Sequence, residues 1–198
     1  MKILSSTALL GLLALTLLSC GGGQVSSEDT ARRAYLGLDK AIAKSMQLGF
    51  DGFNSATSAN ISAQSVAGVK SGTLTITGQV DQGASANKGM RLKVGMTMYS
   101  DGDVALDGGS AVAITYATAT EPALDLSLRS IPNGTFSGTL LGDFEMSGGL
   151  AGSVKLDLAM SGQIEDAGMG KVGRKVGTTT ITGKASSGTG VYQVDITL

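Results

Sequence analysis

From residue 72 onward, apolar residues recur at every second position. Leu74, Ile76 and Val80 alternate with Thr75, Thr77 and Gln79. Met90, Leu92, Val94, Met96 and Met98 then alternate with Arg91, Lys93, Thr97 and Tyr99. The same period returns in Val112, Ile114 and Tyr116, in Leu124, Leu126 and Leu128, and in Phe136, Leu140, Phe144 and Met146. Val154, Leu156, Leu158, Met160 and Ile164 follow, then Ile181, and finally Val194, Ile196 and Leu198. A period of two sends one set of side chains to one face of a strand, and clean apolar-in, polar-out alternation belongs to an antiparallel sheet with one buried face. Turn residues separate the runs: Asp101-Gly102, Asp107-Gly108-Gly109, Pro132-Asn133-Gly134, Gly148-Gly149 and Ser186-Ser187-Gly188. Asn-Gly between alternating runs is a strong hairpin signal. The pattern predicts a mainly β fold, a meander of about eight or nine strands over 72–198. Sheets of that size rarely stay flat and open, so a curled antiparallel sheet or barrel-like meander is expected.

Upstream the period is different. Ala31, Ala34, Tyr35, Leu38, Ala41, Ile42 and Met46 recur at threes and fours, with Arg32, Arg33, Lys40 and Lys44 off that stripe. This predicts one amphipathic helix over 28–48 packed on the sheet. Ser26 and Asp29 stand at capping-box spacing, Glu28 and Asp29 suit the positive end of the helix dipole, and Gly49 reads as the stop. Residues 49–71, rich in Gly, Ser, Ala and Asn, read as a long connection, with one turn of helix at Ser62 to Ala67. Gly138–Gly148 and Gly152–Gly162 match at their Gly, Asp and Met-Ser-Gly positions, which suggests a duplicated hairpin arm.

Glycine supplies 30 of the 198 residues and proline only two. With the alternation above, that composition reads as short strands and tight turns, not as disorder. There is no His and no Trp, so metal chemistry and aromatic stacking platforms are poorly supplied, and no metal or cofactor is expected. The formal charge is -1, without the basic excess a nucleic-acid partner calls for. A membrane-spanning barrel would carry aromatic girdles; this chain has four Phe and four Tyr and ends in Thr197-Leu198.

The chain opens with Met1-Lys2, an apolar run from Ile3 to Leu18, and Leu17-Leu18-Ser19-Cys20. The run is shorter than the roughly 20 residues a spanning helix needs, and its small-residue exit is that of a processed signal. The segment resembles the lipobox signal of bacterial lipoproteins. That resemblance implies a signal peptide over 1–19, and acylation of Cys20 on its thiol and amine, with the acyl chains held in a membrane. Residues 20–27 then read as a flexible tether and 28–198 as one domain. Gly21, where Asp marks inner-membrane retention in enteric members of that class, implies an outer-membrane location facing the periplasm. Removing Lys2 with the signal shifts the net charge from -1 to -2.

Motifs for catalysis are thin. Gly168-Met169-Gly170-Lys171-Val172-Gly173 has the spacing of a phosphate-cradling loop, but a strand-like run follows where that loop needs a helix. Lys171, Arg174 and Lys175 make this loop locally basic, suited either to solvent or to anionic headgroups. Ser85 and Lys88 have SxxK spacing without the helix or the KTG that penicillin-recognising enzymes require. Asp101, Asp103 and Asp107 offer carboxylates for calcium without EF-hand spacing. An enzyme is therefore not expected. What remains is the apolar face: Met90, Met96, Met98, Leu126, Phe144, Met146, Leu158 and Met160 as the candidate lining of a concavity that holds a lipid or other hydrophobic ligand. That architecture resembles, at the level of fold alone, the half-barrel lipoproteins of periplasmic lipoprotein sorting. The competing reading is a structural or protein-interaction module of the cell envelope.

Overall fold

The computed structural model describes residues 22–105 and 109–198; the signal segment, Cys20 and Asp107 lie outside them. Two helices, α1 (Glu28–Leu36) and α2 (Asp39–Ser55), precede eleven strands. These are β1 (Asn60–Ala67), β2 (Ser71–Val80), β3 (Lys88–Ser100), β4 (Asp103–Val104), β5 (Val112–Ala117), β6 (Ala123–Arg129), β7 (Thr135–Gly148), β8 (Gly152–Gly168), β9 (Lys171–Arg174), β10 (Thr180–Ser187) and β11 (Gly190–Thr197).

All strands join one antiparallel sheet in the order β1-β2-β3-β5-β7-β8-β10-β11, with β6 also between β3 and β7 and β9 beside β8. Since β5 and β6 share the same neighbours, they are two halves of one interrupted strand. β9 and β10 divide the return from β8 in the same way. The result is an antiparallel up-and-down meander of eight positions; seven come from β2 onward, the range the alternation marks for eight or nine strands, and the eighth is β1, upstream of it. The duplicated segments are β7 and β8, which pair from Thr135 opposite Gln163 to Met146 opposite Gly152.

The sheet curls around the helices, which touch both edge strands, α1 against β11 and α2 against β1. Glycines on the inner face permit the curl. Gly78 (φ +127°) and Gly183 (φ +144°) adopt backbone conformations that side chains resist, and a Cβ there would lie 2.1 Å from the Arg91 carbonyl oxygen and 2.2 Å from that of Asp157.

The expected helix is two. In a straight helix the Leu38 N–H would bond the Ala34 carbonyl. Here that carbonyl accepts the Tyr116 hydroxyl at 2.8 Å, and the Leu38 N–H turns to Tyr35 at 2.7 Å. A side chain inserted into the ladder is a sufficient cause of the bend. Gly37 gives it room, since a Cβ there would stand 2.2 Å from the Tyr116 hydroxyl oxygen. The predicted apolar stripe is buried throughout. The cap, however, is Ser27 with Thr30, one residue after the expected Ser26 and Asp29.

Helix α2 also runs through Gly49 to Ser55. Gly49 is no stop; it lets the helix press against Met90, whose sulfur would be 2.8 Å from an added Cβ, and Gly52 does the same against Ile61. The expected connection over 49–71 accordingly shrinks, and its 60–67 part is edge strand β1, not a turn of helix. Only Ile61 is buried there, and the register slips between Ile61 and Gln64. That bulge breaks the alternation by which strands are recognised.

The expected tether is docked over its described part. Gly23 bridges Leu150, the Ala151 N–H donates to the Gly23 carbonyl at 3.2 Å, and Val25 is buried. The Val25 carbonyl accepts the Ser187 hydroxyl at 2.6 Å and that of Thr189.

Candidate functional site

Seven of the eight proposed lining residues, Met90, Met96, Leu126, Phe144, Met146, Leu158 and Met160, are buried on the inner face, none more than 5 % exposed. They share one core with Tyr35, Leu38, Ile42, Met46 and Phe50 of the helices. The helices thus occupy the concavity where a ligand was expected. Met98 is a correction: it is 58 % exposed, with φ at +47°. Ser71 pairs with Ser100 and Thr73 with Thr97, leaving an extra residue on β3. That bulge turns Met98 outward and Tyr99 into the core.

Two polar clusters penetrate the core. In the first, the Asp101 carboxylate receives the Lys44 ammonium at 2.6 Å, the Tyr99 hydroxyl at 2.5 Å and the Val69 N–H at 3.0 Å. Burial opposes its ionisation, but Lys44, Tyr99 and the Val69 amide outweigh it and hold the carboxyl below the usual range. The same burial, with Asp101 beside it, pushes the Tyr99 hydroxyl far up. Because the folded-state pKa is the lower one, the stability that ionised Asp101 contributes is present above its ordinary value of 3.8 and is lost as pH falls through the depressed value. Asp101→Asn should therefore lower the melting temperature at neutral pH and flatten its decline below pH 3.8. Melting curves across that range check it.

In the second cluster, the Arg174 guanidinium on β9 grips the Asp39 carboxylate with two bonds, of 2.8 and 2.7 Å, and adds a third to the Asp39 carbonyl at 3.0 Å. The Tyr35 hydroxyl donates to the same carboxylate at 3.0 Å. Nearby, Lys171 pairs with Asp51 at 2.7 Å. Two of the three cations read from the sequence as a solvated or headgroup-binding loop thus clamp β9 to α2. Gly168–Gly173 is the turn and return of the β8–β9 hairpin, with no helix behind it.

The other motifs separate. The Ser85 hydroxyl accepts the Asn87 N–H, while the Lys88 ammonium bonds the Gly83 carbonyl and lies 4.3 Å from the centre of the Phe53 ring. Asp103 pairs with Lys70 at 2.7 Å, and Asp101 is engaged as described. Among the described residues, no group of three acids, His or Cys is arranged to hold a metal.

Among the described residues, a depression of about 650 Å³ opens instead on the outside of the sheet. One transverse row, Arg91–Asp125–Thr139–Ala159–Thr182, crosses five strand positions from β3 to β10, with Gly89–Ser127–Ser137–Ser161–Thr180 beside it. Small side chains in the middle leave a trough, and Arg91 and Asp125 close one end. The hydroxyls of Ser127, Ser137, Thr139, Ser161 and Thr182 line it, and three of the expected lining residues, Met90, Leu126 and Met160, border it as well. From sequence these positions were only the polar half of the alternation; their alignment across strands depends on register, which one chain's pattern does not specify. Comparison of the chain with protein-family models, with curated proteins and with solved structures finds no match.

Proposed function

We propose that this is a non-enzymatic lipoprotein of the bacterial envelope that works as an interaction module. It is held at the membrane by acyl chains on Cys20 and presents the outer face of its sheet to an envelope partner. The observation that carries this reading is the filled concavity: the apolar face expected to receive a lipid is covered by α1 and α2. A ligand pocket needs some hundreds of cubic ångströms, and among the described residues a depression of about 650 Å³ opens on the outside of the sheet, not in its concavity. The membrane address rests on the lipobox. Among the described residues, no helix is long and apolar enough to cross a membrane.

Native mass spectrometry of the domain released from its anchor tests the choice. The bare chain mass, and no uptake of a hydrophobic dye, are expected. Co-purifying lipid would favour a ligand carrier instead. A photo-crosslinking residue at Thr139 should give a discrete adduct in cells, lost when Ala159 is replaced by Arg to fill the trough. On the same reading, Cys20→Ala should leave the membrane fraction, or remain unprocessed.

A further inference from the structure

The docked N-terminal segment selects one rim of the sheet. Register carries that level across the strands: Ser71 faces Ser100, Val104 faces Val112, Ile114 faces Gly148, Met146 faces Gly152 and Ser187 faces Gly190. The turns at 68–70, 149–151 and 188–189 therefore share this rim, while 81–87, 130–134 and 168–170 share the other. Gly22 and Gly23 are seated on the first. A Cβ on Gly22 would stand 2.0 Å from the Gly148 carbonyl oxygen, and Gly23 bridges Leu150.

We propose that this rim is the surface the protein lays against the bilayer, with the Val69 turn at the level of the lipid. The proposal rests on the reading that Cys20 carries the acyl anchor. Two residue steps separate Cys20 from Gly22, a reach of at most about 7 Å. The interfacial layer outside the hydrocarbon is itself about 5 to 8 Å deep on each side. A docked Gly22 thus stays at the headgroup region, and the β7–β8 turn that seats it stays there too, which brings this end of the sheet, not the opposite one, to the bilayer.

That rim carries apolar side chains suited to the contact. Val69 is 77 % exposed at the tip of the β1–β2 turn, and Met98 lies beside it, its carbonyl accepting the Ser71 hydroxyl at 2.8 Å. The turn is braced: the Val69 N–H is held by Asp101, the Lys70 N–H by the Ser100 carbonyl at 2.9 Å, and the Lys70 ammonium by Asp103. The opposite rim also exposes Met169, so exposure alone does not choose between the ends. The length of the leash does.

The chain has no tryptophan, so Val69→Trp and Met169→Trp each install a single reporter at an exposed position. The full-length acylated variants are reconstituted into phosphatidylethanolamine–phosphatidylglycerol vesicles with or without brominated acyl chains. V69W emission should shift to the blue and be quenched by the brominated lipid, with M169W unchanged. Quenching of M169W alone, equal quenching of both, or quenching of neither, in protein that floats with vesicles and carries the acyl mass, overturns the assignment and leaves the anchor intact. A protein whose intact mass lacks any acyl increment overturns both.

Discussion

Gly37→Ala should lower stability by about 3 kcal/mol, combining the overpacking of a filled core with the loss of a buried hydrogen bond. For a domain of this size that is a fall in melting temperature of roughly 10 °C. Helix propensity alone gives the opposite sign, because Ala exceeds Gly by about 1 kcal/mol inside a helix. The outcome is decided by Tyr116, whose hydroxyl oxygen would be 2.2 Å from the new Cβ and whose ring carbons would be 2.9 and 3.0 Å away. Tyr116 is buried and meets Phe144 edge-on, with ring centres 6.4 Å apart, so it has little freedom to retreat. If it does move, the Ala34 carbonyl loses its donor. Tyr116→Phe alone should cost about 1 to 3 kcal/mol, by leaving that carbonyl unsatisfied. The double variant should be less damaged than the sum, since removing the hydroxyl takes away the nearest clash. Thermal melts followed by far-ultraviolet circular dichroism measure all three; a G37A protein as stable as the parent would show that the bend has another cause.

This contact also marks the limit of what the pattern of residues could say. The meander was legible because the core needs one face of each strand to be apolar, and Leu156, Leu158 and Met160 could not satisfy that in another register without exposing the set. The stripe from Ala31 to Met46 was legible for the same reason at helical period. Both failures at glycine came from tertiary contacts. Gly49 looks like a stop, yet it serves close packing on Met90, and Gly37 inside the stripe gives no sign that a tyrosine seventy-nine positions later will bend the helix there. Edge strand β1 was missed because it buries little beyond Ile61, and Met98 because a bulge shifts the phase by one residue. The trough was out of reach, since Thr139, Ala159 and Thr182 are neighbours only once three strands are paired.

Arg174→Ala should destabilise the domain by about 3 kcal/mol, near the low end for breaking a buried pair because Asp39 keeps some contact with water. The Arg174 and Asp39 side chains are 10 % and 21 % exposed, and the truncation leaves the Asp39 carboxylate with only the Tyr35 hydroxyl as a side-chain partner. Burial opposes the charge on Arg174, but Asp39 and Tyr35 outweigh it and raise its pKa, so the guanidinium stays charged through the neutral range. Arg174→Lys keeps the charge while losing the two-pronged grip and the bond to the Asp39 carbonyl, and should recover only part of the loss. Replacing both partners, Asp39→Asn with Arg174→Met, should be milder than R174A, because no unpaired charge remains. The damage should also be local. β9 is held to α2 by this pair and by Lys171–Asp51, so amide exchange at 171–174 and in the first turn of α2 should rise more than exchange across β7 and β8. Uniform acceleration throughout the sheet would mean that the clamp stabilises the whole meander rather than the β8–β9 hairpin.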